Sequence, residues 1–146
     1  MQETYLSIML QSLKKKEQVL DEIVRLNDKQ REILTSPEQP VGEFDKTVEA
    51  KSACIQQLEQ LDSGFEKLYA QVSEELAQNK EAYTEEIKQM QNRIRSVTEK
   101  SVKIQAQEAR NKDLMREKFT TVKRHAKNVR LNSRAITGYY NSMKEW

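Results

Sequence analysis

Residues 44–76, FDKTVEAKSACIQQLEQLDSGFEKLYAQVSEEL, decide the fold. Phe44, Val48, Ile55, Leu58, Leu61, Phe65, Leu68, Val72 and Leu76 follow one another at intervals of three, four or seven. That spacing lays them along one face of an α-helix and leaves the charges on the others. A strand would alternate at every second residue, and no window here does so. Gly64 sits inside the run. One glycine costs a helix about 1 kcal/mol, and the apolar phase passes straight through it, so the spacing predicts a continuous helix with room for a kink. Asp45 suits the N-cap, with Phe44 packing back as a staple. Leu58 and Leu68 lie mid-stripe, where Leu→Ala is expected to cost about 2–5 kcal/mol if the side chain is buried.

Upstream, TSPEQPVGEFD holds both prolines and a glycine within six positions. Pro40 lacks an N–H and biases its predecessor away from helix, so the preceding helix must stop there. That helix, about residues 3–34, carries two neighbouring stripes. Leu6, Leu10, Leu13, Leu20 and Val24 form one, and Ile8, Val19, Ile23, Leu26 and Ile33 form the other. Together they make an apolar face wide enough for more than one partner helix. The run Lys14-Lys15-Lys16 falls on its wet side.

Downstream, apolar residues thin out around Asn79, closing a second helix of about 45–77. A third stripe then runs through Tyr83, Ile87, Met90, Ile94, Val97, Val102, Ile104, Leu114, Met115, Phe119 and Val122, giving a helix of about 80–122. Between Ile104 and Leu114 the polar residues Gln105, Glu108 and Asn111 take inward-looking positions, where they set register at some cost in stability. The expected fold is all-α: an elongated antiparallel three-helix bundle or coiled coil over residues 1–122. At ~1.5 Å per residue it would be a rod on the order of 50–65 Å long.

Composition agrees. The 146 residues are 33% charged and 36% hydrophobic, with three Gly and two Pro, and mean hydropathy is −0.89. This is the mix of long, solvent-lapped helices, not of a sheet needing a turn every ten residues or so. No stretch is apolar enough to span a membrane. The first lysines follow the leading apolar residues, the wrong order for a secretory signal. A single cysteine excludes an internal disulfide and fits the cytoplasm. Catalysis finds little to use, because His125 and Cys54 lie far apart and no phosphate loop or metal-spaced motif occurs. The expectation is a non-enzymatic binding protein without cofactor or metal. Cys54 reads as a small buried hydrophobe and His125 as surface.

Residues 123–146 differ in kind. Residues 1–75 hold 9 basic and 15 acidic side chains, residues 76–146 hold 16 and 8, and no acid occurs from 118 to 144. Along this basic stretch run Ala126, Val129, Ile136, Tyr140 and Met143, and three of the nine aromatics fall in the last eight residues. A solvated surface and a nucleic-acid footprint are two readings of it. The acidic first half opposes the second. Tyr and Met suit an adaptable protein-binding surface, which favours a third: an amphipathic, mobile segment that docks on a partner helix.

Residues 44–72 resemble the central helix of bacterial flagellar export chaperones of the FlgN type, in the course K-x-x-x-I-x-x-L-x-x-L-D-x-G-F-x-x-L-Y. EARNKDL (108–114) is similar to that family's third-helix motif, and RAITGYYNSM (134–143) to its tyrosine-bearing tail. The resemblance implies a cytoplasmic chaperone for hook–filament junction proteins. It would cover their terminal helices, prevent early assembly and deliver them to the export gate. The partner-binding residues expected from the basic amphipathic stretch are Phe119, Val122, Ala126, Val129, Arg130, Arg134, Ile136, Tyr139, Tyr140 and Met143; the resemblance adds that Tyr139 or Tyr140 would face the gate. The alternatives are a FliT-type chaperone of the filament cap, or a structural coiled-coil scaffold self-associating through the first helix. Neither nucleic acid nor membrane insertion is expected, and homo-oligomerisation would be weak.

Overall fold

The computed structural model of the chain describes residues 2–37 and 41–124. These form three helices, α1 (Gln2–Thr35), α2 (Val41–Gln78) and α3 (Thr84–Arg124), and no strand among the described residues. The fold is an all-α helical bundle. α2 begins at Val41, so Asp45 lies within its second turn and is not the N-cap. Phe44 is instead one of the buried residues of the core. Between α2 and α3 the chain turns tightly: Asn79 N–H donates to Glu75 O at 3.0 Å and Ala82 N–H to Asn79 O at 3.0 Å. The Thr84 hydroxyl then donates to the Lys80 and Glu81 carbonyls.

Contacts cluster into two units, residues 1–22 with 53–102, and residues 23–52 with those from 103 onward. In the first unit Leu6, Met9 and Leu13 of α1 pack against Val72 and Leu76 of α2 and Met90 of α3. Ion pairs then fix the neighbours of α1 on either side. Lys16 meets Asp62 of α2 at 2.5 Å, Glu17 accepts from Arg93 and Ser96 of α3 at 3.2 Å, and Asp21 meets Lys100 of α3 at 2.5 Å. Residue numbers rise together along α1 and α3 and run oppositely along α2, an up-down-up order. The apolar face of α1 thus packs on both other helices, Leu6 and Leu13 of its first stripe meeting α2 and α3 together, while Ile8 of its second stripe stays 44% exposed.

The phase of α2 was legible, its depth less so. Leu58 and Leu68 are half-buried, whereas Val72 is fully enclosed. Val72→Ala is therefore expected to cost on the order of 2 kcal/mol, and Leu58→Ala less despite removing more atoms; paired thermal melts check the ordering. α2 runs unbroken through Gly64, which has no positive φ, and a Cβ built there meets nothing within 4 Å. Gly64→Ala should stabilise the protein by about 0.5–1 kcal/mol, read as a raised melting temperature.

The core of the second unit is of another kind. Ile23, Leu26, Ile33, Phe44 and Met115 supply its apolar part, and all six buried polar side chains among the described residues lie here too: Asn27, Gln30, Thr47, Lys51, Gln107 and Asn111.

Candidate functional site

Two features of the described residues go beyond plain packing. The first is this polar layer, to which all three helices contribute. Lys51 Nζ of α2 meets Glu108 Oε1 of α3 at 2.5 Å and donates to Gln30 Oε1 of α1 at 3.3 Å. Gln30 Nε2 donates to the Thr47 hydroxyl at 3.1 Å, and that hydroxyl donates to Phe44 O at 2.6 Å. From α3, Asn111 Nδ2 donates to Asn27 O at 2.9 Å, and Gln107 bonds the Asn27 side chain, the Val24 carbonyl and Asp28. A buried polar group left without a partner costs far more than a made bond returns, so sliding any one helix along its axis would break several of these bonds at once, although Asn27 Oδ1 and Glu108 Oε2 lack a partner even in this register. Burial lowers the Lys51 ammonium from its usual 10.5 to about 8, with the Glu108 carboxylate opposing the shift.

Within the polar interruption of α3 the buried positions differ from those the sequence predicts. Gln105 faces solvent, and Gln107, two residues on, is the buried glutamine. On a helix those positions differ by ~200°, so the heptad passes through Gln107 and Asn111 and misses Gln105. Cys54 is half-buried, not enclosed.

The layer anchors the part of α3 that leads towards the basic segment. Farther along, Lys118 Nζ donates to the carbonyl oxygens of Ile33 and Ser36, both at 3.2 Å. The last turn of α1 holds no basic residue of its own, so a lysine from another helix caps those orphan acceptors and opposes the negative end of the helix dipole. Desolvation lowers the Lys118 pKa. Lys118→Ala is expected to cost about 0.5–1 kcal/mol, measured by thermal unfolding.

The second feature is an open apolar seam in the first unit, between α2 and α3. Phe65, Tyr69, Leu76, Ile87, Met90 and Ile94 form its apolar lining around a groove of about 710 Å³. Tyr69 and Ile94 remain 53% and 45% exposed. Ile94 belongs to the stripe expected in the core, and Tyr69 lies outside the stripe of α2. The signal available was Tyr69 four residues after Phe65 and seven before Leu76, which makes the apolar face of α2 wider than one partner helix needs.

Of the residues expected to bind a partner, Phe119 and Val122 lie in the last turns of α3. Ala126, Val129, Arg130, Arg134, Ile136, Tyr139, Tyr140 and Met143 lie outside the described residues. Among the described residues no group of His, Cys, Asp and Glu could hold a metal ion, and no helix is long and apolar enough to cross a membrane.

Compared with known proteins, the chain matches the family described as FlgN protein over residues 1–144. No curated protein and no solved structure matches it.

Proposed function

The chain belongs to the FlgN family of flagellar export chaperones, and on that premise we propose that its clients are the hook–filament junction proteins. Residues 123–146 cover the clients' amphipathic terminal helices in the cytoplasm, hold them unassembled and bring them to the export gate. The observation that carries this reading is the family match over residues 1–144. The composition of the C-terminal segment supports it.

Terminal helices of filament subunits are apolar on one face and lack a partner before assembly, which makes them an aggregation hazard. A chaperone that releases them without ATP must bind at moderate affinity. A segment that orders only on binding does this, because its ordering entropy offsets part of the contact energy. Ile136, Tyr140 and Met143 are spaced four and three apart, on one face if the segment is helical. Tyr139 lies about 100° away and is left for a second partner, the export gate. Tyr139→Ala should therefore leave client affinity intact while secretion drops.

Calorimetric titration of the full chain tests the choice of client. Terminal segments of the junction proteins are expected to bind, and the terminal segment of the filament-cap protein to bind at least about tenfold more weakly, a difference of ~1.4 kcal/mol. Tighter binding of the cap segment would move the chain's client to the filament cap. A scaffold role predicts instead a large rise in mass with concentration and no client binding.

A further inference from the structure

We propose that the seam between α2 and α3 in the first unit is a second docking site, which seats an amphipathic helix of a partner protein with an apolar ridge and acidic flanks. The apolar face of α1 packs against both α2 and α3, and the ion pairs of Lys16, Glu17 and Asp21 bind it to both. The sides of α2 and α3 that face each other across the seam are not closed in the same way. Tyr69 and Ile94 stay about half exposed there, over a floor that includes Leu76 and Met90. Two helices flanking an apolar groove present the surface that a further helix fills by setting its ridge between them.

Dimensions and charge define the occupant. Along α2 the lining runs from Phe65 to Ala77, roughly 18 Å at ~1.5 Å per residue. That length admits about three turns of helix, read as apolar residues at i, i+4, i+7 and i+11. The charged residues lining the groove are Lys80 and Lys88, with no carboxylate among the described lining residues. A positive rim selects acidic flanks on the incoming helix. The same rim opposes the chain's own C-terminal stretch, which carries no acid from 118 to 144. A second copy docked seam to seam would bring lysine against lysine. The site is distinct from the C-terminal segment of the proposed function and stands whether or not the clients are junction proteins.

The test uses the full chain and labelled synthetic helical peptides of about 18 residues, with one leucine ridge flanked by either Glu or Lys. Fluorescence anisotropy should show the Glu-flanked peptide binding at least about tenfold tighter than the Lys-flanked one, and the gap should close with added salt. Tyr69→Ser combined with Ile94→Ser should weaken the Glu-flanked peptide about tenfold or more. Because both side chains are exposed, the helical circular dichroism of that variant should match wild type. Lys80→Glu with Lys88→Glu should invert the preference between peptides. Ile136→Ser, Tyr140→Ser and Met143→Ser together should leave unchanged the part of peptide binding that the Tyr69→Ser/Ile94→Ser variant loses. Equal affinity for both peptides, or binding lost in the C-terminal variant but not in the seam variant, would overturn the seam assignment and leave the proposed function standing. Self-association of wild type that disappears in the seam variant would overturn it in favour of a second copy.

Discussion

Lys51→Ala is expected to lower stability by about 3–5 kcal/mol. Lys51 is the largest fully buried side chain among the described residues. Truncating it leaves a cavity the length of its methylene stem. It also strips Glu108 of a contact at 2.5 Å and Gln30 of a donor, and Glu108 Oε2 is already buried without a hydrogen-bond partner. Packing and charge separate in two further variants. Lys51→Met keeps most of the stem and should recover a large part of the loss. Lys51→Met combined with Glu108→Leu removes the ion pair altogether and should lie level with wild type or above it at neutral pH, because desolvating two charges offsets most of their attraction.

The pH dependence carries its own sign. In the folded protein Lys51 titrates near 8, below its unfolded value of 10.5. Between those values the unfolded chain binds more protons than the folded one, so this group's contribution to stability rises with pH across that window. Below pH 8 both states hold the proton and the full penalty applies. Relative to the Lys51→Met/Glu108→Leu variant, wild type should gain stability from pH 8 to 10.5, by at most about 3 kcal/mol. Urea unfolding at several pH values reads this directly. A wild type that loses ground over that range would mean that the pair stabilises the fold by charge.

The second large effect concerns the proposed partner-binding segment. Replacing Ile136, Tyr140 and Met143 together with serine should weaken the client complex by a hundredfold or so, about 3 kcal/mol, since a few buried aromatic and aliphatic anchors carry most of an interface's energy. Arg130→Ala and Arg134→Ala should act mainly on association rate and salt dependence. Removing residues 123–146 altogether should abolish client binding and leave the three helices folded, because the last buried apolar side chain of the described core is Met115. A melting temperature that collapses on this deletion, or client binding that survives it, would place the client site on the helices instead.

What the sequence disclosed and what it concealed follow from the same physics. Apolar spacing is a local signal, so the three helices and the burial of Phe44 are legible in it, whereas it places Ile8 on the second stripe of α1 although that side chain is 44% exposed. Helix starts are set by single residues, and there the reading failed: Asp45 offered a good cap, yet α2 begins at Val41. Lys51 was hidden for a different reason. It stands seven residues after Phe44 and four before Ile55, squarely on the stripe, but a lysine reads as solvent-facing unless its partner is known. That partner, Glu108, lies 57 residues away. Gln107 and Gln105 differ only in helical phase, which a polar interruption of the stripe leaves poorly marked. The seam was concealed because periodicity shows that Ile94 is apolar and in phase without showing that it stays 45% exposed. The C-terminal segment, by contrast, offers chemistry alone: a basic stretch free of acids in which Ile136, Tyr140 and Met143 stand at helical spacing.

The most direct test of the central claim is secretion of the hook–filament junction proteins by cells lacking this chain. The account predicts that these proteins fail to reach the medium while hook assembly proceeds, and that wild type restores them. The Ile136→Ser/Tyr140→Ser/Met143→Ser variant should accumulate as a folded helical protein without restoring them. Normal export of the junction proteins in cells that lack the chain would contradict the account.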